Sequence, residues 1–278
     1  NFGLSSWNPT AMALDGDMLY ISNSQTASQI LRYDLKQKRA LTAIDPAVLT
    51  GLSKTWDGIV DISVHAGRLY VASYGSNRID VIDIATGQPQ FVMALGTGNW
   101  WGDIFNYALV HSNAVAADDR FIYAPDIQGR INVWQQSDIR PENHLKANKF
   151  ARLSLPNCAR NCNARMQSIG DFLYTSLPNG TTYVHDLKSL KQGDTDVQPI
   201  LTENALSTVI NHAPDGKVYV SRNNGVIESY SAQSFSDHQI LPTQRLDQFS
   251  EYRLKDGIDT QANPRPVICL FMIRLYYI

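Results

Sequence analysis

The chain has little charge. Asp, Glu, Lys and Arg make up 18% of its 278 residues, against roughly a quarter in an average soluble domain. Its polarity rests on Ser, Thr, Asn and Gln instead, as in many exported β proteins. It also lacks a basic excess. The formal net charge is −2, which argues against a nucleic-acid or anionic-membrane partner, because both select basic surfaces. No apolar run approaches the ~20 residues of a membrane-crossing helix, so no transmembrane segment is expected. The first residue is Asn1 rather than Met, as after removal of a signal peptide or trimming of the start.

Cysteine is scarce, with three in all. Cys158 and Cys162 lie in PNCARNCNAR, a C-x3-C spacing. A zinc site would need a second ligand cluster, and none is present in the sequence. The expected arrangement is a disulfide pinning a small loop, worth about 2 kcal/mol on the chain-entropy account; free thiols or a metal pair are the alternatives. A disulfide and a missing Met together point to a secreted, periplasmic or cell-surface protein. Motifs of several chemistries are missing as well. There is no G-x-S-x-G nucleophile elbow, no G-x-G-x-x-G or P-loop and no C-x-x-C-H haem site. His111-Ser112 is a dipeptide without a visible catalytic partner.

What the chain does have is a repeat. DGDMLYIS, AGRLYVAS, DDRFIYAP, GDFLYTS and DGKVYVS recur, with a weaker IRLYYI at the end, placing Tyr20, Tyr70, Tyr123, Tyr174, Tyr219 and Tyr276 at steps of 45 to 57 residues. Each unit has a Gly/Asp turn, an apolar-Tyr-apolar strand, a polar turn, a second strand and a more irregular closing stretch such as QPQFVMAL. About four short strands per ~50 residues is the signature of a β-propeller blade. One four-stranded sheet cannot cover both of its faces, and stacking sheets radially covers them. The repeated tyrosines and Trp134 are expected in the sheet-to-sheet layers.

LYVASYGSNRIDVIDIATG, Leu69 to Gly87, resembles the repeat of YVTN/NHL-type propellers, and Met18 to Leu35 matches it in part. The resemblance implies an all-β propeller of four-stranded blades and leaves function open, because such propellers include lactonases, dehydrogenase subunits, surface proteins and interaction modules. The expected plan is one domain spanning 1–278, six-bladed with an abbreviated last blade at Val267 to Ile278. The alternative is five blades plus a C-terminal strand. Gluconolactonase-type propellers hold a divalent cation with a Glu near the start of the chain and Asn and Asp residues around the axis. No Glu precedes Glu142 here, and Asn8, Asn113, Asn211 and Asp57 imitate such a site only in part. No cofactor is therefore expected beyond a structural cation on the axis.

In a propeller the segments leading into the innermost strands gather around the axis on one face. Here they are SSWNPT, KTWDGIVD, WWGDIFNYALVHSN, NCARNCNAR and STVINHA. They hold four of the five tryptophans. The expected ligand face comprises Trp7, Trp56, Asp57, Trp100, Trp101, Asp103, His111, Asn113, Arg165 and His212, with Asp61, Arg160 and Asn211 in the same segments. Flat aromatics beside Asp, Asn and Arg suit a protein partner or a small-molecule or carbohydrate ligand; small apolar clusters packing the loops are the plainer alternative. GTGNWWGDIFNY is part of the longest insertion and stands first among the candidates. His65, His144, His185 and His238 are assigned to strand ends and outer loops. The expected function is non-catalytic binding. Its rivals are a lactonase-like hydrolase or isomerase with an axial pocket, and a structural subunit whose last blade takes a partner strand at Val267 to Ile278.

Overall fold

The computed structural model describes residues 8–24, 28–52, 55–97, 106, 109, 111–158, 163–203, 209–213, 216–221, 227–233 and 244–246. These residues form five four-stranded antiparallel sheets, each paired in simple up-and-down order. Blade 1 is β1 (Pro9–Asp15), β2 (Met18–Asn23), β3 (Gln29–Asp34) and β4 (Arg39–Ile44). Blade 2 is β5 (Ile59–His65), β6 (Arg68–Ser73), β7 (Arg78–Asp83) and β8 (Gln90–Leu95). Blade 3 is β9 (Ala116–Ala117), β10 (Phe121–Pro125), β11 (Arg130–Gln135) and β12 (Ala151–Ser154). Blade 4 is β13 (Arg165–Ile169), β14 (Phe172–Ser176), β15 (Thr182–Asp186) and β16 (Leu201–Glu203). Blade 5 is β17 (Val209–His212), β18 (Lys217–Ser221), β19 (Ile227–Ser231) and β20 (Gln244–Leu246).

The first strands of successive blades pack side by side, β1 on β5, β5 on β9, β9 on β13 and β13 on β17, so they are the inner strands. The protein is thus an all-β propeller with five described blades. The weak sixth repeat, Val267 to Ile278, lies outside the described residues.

The repeated apolar-Tyr-apolar strand has a clear packing logic. Successive side chains of a strand point to opposite faces. Leu69 and Val71 of β6 therefore pack back on blade 1, in a layer with Tyr20, Ile30 and Ile44. Tyr70 packs forward on blade 3, against Ile122 and Trp134. Tyr123 faces blade 4 with Leu173 and Tyr183, and Tyr174 faces blade 5 with Val218 and Val220. Each such tyrosine removes roughly 150–250 Å² from water. The fifth, Tyr219, is half-buried.

Outer edges are covered by the following blade, as unpaired strand edges generally must be. Ala94 on β8 donates its N–H to His144 Nδ1 (3.0 Å) and accepts from the Leu145 N–H (2.9 Å). On β12, Ser154 donates to the Val197 carbonyl (2.8 Å) and Arg152 accepts from the Val197 N–H (3.1 Å).

Candidate functional site

The segments leading into the inner strands do carry polar residues that meet across blades. Asp61 lies on β5 and Arg165 opens β13, 104 residues away in the chain and two blades further round. Arg165 Nη1 donates to Asp61 Oδ1 at 2.5 Å. The Val115 N–H, just before β9, donates to Asp61 Oδ2 at 3.1 Å. One carboxylate thus ties together the inner strands of blades 2, 3 and 4. Asp61 is 8% exposed. Burial pushes its carboxyl above the ordinary carboxylate range, and the Arg165 charge and the hydrogen bonds pull it partly back. A buried, raised carboxylate beside a guanidinium is the kind of pairing found at reactive sites.

Around this pair stand Asn113, whose Nδ2 donates to Asn163 Oδ1 at 3.5 Å, and the segment His111–Val115. His111 is held in the left-handed region at φ 48°, and Asn77 at φ 53°. Such values are uncommon away from glycine. The Asn77 Oδ1 accepts from the His111 N–H at 2.7 Å, so the side chain of one strained residue fixes the backbone of the other. The His111 ring stacks on Tyr74, with centroids 4.6 Å apart and planes 19° apart.

Tyr74 belongs to the β6–β7 turn. Its N–H bonds to the Gly58 carbonyl (3.0 Å), and that of Gly75 bonds to the Asp57 carbonyl (2.9 Å). Ser73 Oγ accepts from the Asp57 N–H at 3.0 Å. A Cβ on Gly75 would collide with the Asp57 side chain, so a larger residue here would require Asp57 to move.

The predicted face is therefore divided. Asp57, His111, Asn113 and Arg165 lie in one region of the axial face, joined by Asp61, Tyr74 and Asn163. Asp57 is exposed. His212, on β17, is exposed. Trp56 corrects the expectation of an open ring. It is 4% exposed, packs among Ile59, Leu69 and Ile82, and donates its indole N–H to Asp80 Oδ2 at 2.9 Å. His185, assigned from the sequence to a strand end or outer loop, is 0% exposed near the end of β15. Its Nε2–H donates to the Ser154 carbonyl at 2.9 Å, and its Nδ1 is buried with no hydrogen-bond partner. Burial lowers its pKa to about 4.

Trp7, Trp100, Trp101, Asp103, Arg160 and Cys162 lie outside the described residues. Cys158 is buried and disulfide-bonded. Among the described residues no three or more His, Cys, Asp or Glu side chains converge as cation ligands would. No helix of the described residues is long and apolar enough to cross a membrane.

Tyr74 escaped the sequence reading because YGSNR reads as a polar hairpin turn. The available signal was an aromatic residue where the equivalent turns SNSQTASQ, DIQGR, PNGT and RNNG have none.

Blades of four antiparallel strands around a polar axial mouth define a β-propeller. The family described as "Lactonase, 7-bladed beta-propeller" matches residues 4–156, just over half of the chain and the whole of blades 1 to 3. The chain belongs to that family. Its described residues form five blades where the family's description names seven. No curated protein matches the chain. Among solved structures, the computationally designed Ika4 protein is similar over 67% of this chain and 96% of its own length, at 13% identity and a TM-score of 0.45. That likeness is too distant to carry an argument.

Proposed function

We propose that the protein is a lactonase-like hydrolase that opens a cyclic ester at the axial mouth, with Asp61 and Arg165 as its reactive pair. The observation that carries this reading is the part-buried Asp61–Arg165 contact spanning β5 and β13, in a chain of the lactonase propeller family. Asp61 is the general base. A carboxylate raised toward neutrality takes a proton from water more readily than an ordinary one. The water oxygen adds to the lactone carbonyl carbon, and its proton passes to Asp61. Arg165 stands beside the oxyanion that develops, where a preorganised cation in a poorly hydrated site is most effective. Collapse of the tetrahedral intermediate breaks the ring C–O bond. The proton held by Asp61 goes to the leaving alkoxide, giving a hydroxy acid.

The reading is tested by pH-stat assay of five- and six-membered lactones with the wild-type protein and Asp61→Asn. The wild type is expected to release acid, with kcat/KM rising with pH through a group above the usual carboxylate range. Asp61→Asn is expected to lose at least a hundredfold, within the usual contribution of general acid–base catalysis. Equal rates in the two proteins would overturn the assignment.

A second reading, non-catalytic binding through an aromatic loop face, is favoured by one observation, the Tyr74–His111 stack at the same mouth. The repeat itself we assign to the YVTN/NHL type on the strength of Leu69 to Gly87.

A further inference from the structure

We infer that the Tyr74–His111 stack is a recognition platform for the flat, unsaturated ring of a small-molecule ligand, and so selects aryl-bearing ligands at the axial mouth. The inference rests on that mouth being the binding site proposed above. It does not depend on the ring-opening chemistry.

Several observations converge on the pair. Tyr74 is 36% exposed and is the one exposed large aromatic among the described residues. Most aromatics here are consumed by the layers between blades. This one is held at the surface by a turn that has little freedom. Its own N–H is fixed on Gly58, the next residue is pressed against Asp57, and Ser73 bonds Ser76 Oγ at 2.9 Å.

His111 comes from a different blade connection and reaches Tyr74 only through a left-handed backbone clamped by Asn77. Conformational strain of this sort persists where surrounding structure imposes it, and it clusters at ligand sites. The His111 Nδ1 lies 3.4 Å from the Tyr74 carbonyl oxygen, so the imidazole is tied to the backbone of the residue on which it stacks. Tyr74 stays 36% exposed while stacked, so part of the pair remains open to a ligand. Offset stacking with centroids 4.5–7 Å apart is the favoured arrangement for aromatic pairs, so a further planar ring extends the stack in the geometry the two residues already share.

The platform is also close to the reactive pair. His111 is four residues from Val115, whose N–H is bonded to Asp61, and four residues reach at most about 14 Å even when fully extended. The platform and the Asp61–Arg165 pair therefore belong to one region of the axial face, joined by the segment His111–Val115.

The test uses two pairs of probes: an aryl-fused six-membered lactone with its saturated analogue, and the corresponding lactams, which resist hydrolysis. Lactam binding is read by saturation-transfer NMR and titration calorimetry, and lactone turnover by kcat/KM. The proteins are wild type, Tyr74→Phe and Tyr74→Ala, with folding checked by circular dichroism. Wild type and Tyr74→Phe are expected to prefer the aryl lactam by about two- to tenfold, a range set by the size of one aromatic stack. Tyr74→Ala is expected to bring the preference to near one, in binding and in any turnover.

Aryl preference that Tyr74→Ala abolishes, without turnover, supports the platform and overturns the hydrolase reading. An aryl preference unchanged in Tyr74→Ala, with or without turnover, or no aryl preference in the wild type, overturns the platform and leaves the hydrolase reading to its own test.

Discussion

The layers between blades and the axial mouth are built from the same chain by opposite rules. In the layers, equivalent positions repeat. The tyrosine of the second strand faces forward, its apolar neighbours face back, and Tyr20, Tyr70, Tyr123 and Tyr174 all obey. At the mouth, nothing repeats. Asp61, Asn113 and Arg165 sit at non-equivalent places on successive blades, and Tyr74 stands in a turn whose counterparts carry no aromatic. Repetition supplies a rigid frame, and departures from it supply chemistry. Substitutions in the layers should therefore act on stability alone, and those at the mouth on function, with a stability cost besides where Asp61 ties the inner strands.

The layers hold two departures of their own, and these give the sharpest ways to break the contrast. Between blades 1 and 2, Asp80 is 0% exposed. It accepts from Arg78 Nε at 2.7 Å and from the Trp56 indole. Asp80→Ala leaves the Arg78 guanidinium buried without that counter-ion, and the expected loss is about 3–5 kcal/mol, the usual range for breaking one partner of a buried pair. Urea denaturation reads it. A loss under 1 kcal/mol would mean that the layer tolerates the charge, and that its chemistry is no more fixed than the mouth's.

A smaller effect is expected between blades 3 and 4. His185 is neutral when folded, with its pKa lowered to about 4 by burial, against about 6.5 in the unfolded chain. Between these values the unfolded state binds the extra proton. The stability due to the neutral ring is therefore whole above pH 6.5 and is lost as pH falls toward 4, by about 3 kcal/mol over that span. His185→Gln removes this titration. Subtracting the two pH–stability curves should leave a slope confined to that window, and parallel curves would show that His185 does not titrate with folding.

The frame was legible in the sequence because a period of about 50 residues and an apolar-Tyr-apolar core survive every change of loop. Trp134 in its layer and the hairpin at Ser73–Arg78 followed directly. The mouth was legible only as a set of segments. That Asp61 and Arg165 meet depends on how far the inner strands turn between blades 2 and 4, which no local pattern encodes. Trp56 was misplaced for a related reason. A loop tryptophan reads as exposed unless its indole finds a buried acceptor, and that acceptor, Asp80, lies 24 residues on in the middle of another strand. His185 occupies a position where apolar residues serve elsewhere, and nothing near it in sequence marks Ser154 as its partner.

The central claim is that Asp61 and Arg165 act as one unit. A double-mutant cycle on lactone kcat/KM tests it most directly, using Asp61→Asn, Arg165→Met and the two combined. Residues that work together lose about as much singly as jointly, so the double variant is expected to be no slower than the worse single one. Losses that multiply, or single variants as fast as wild type, would contradict a shared reactive centre at the axis.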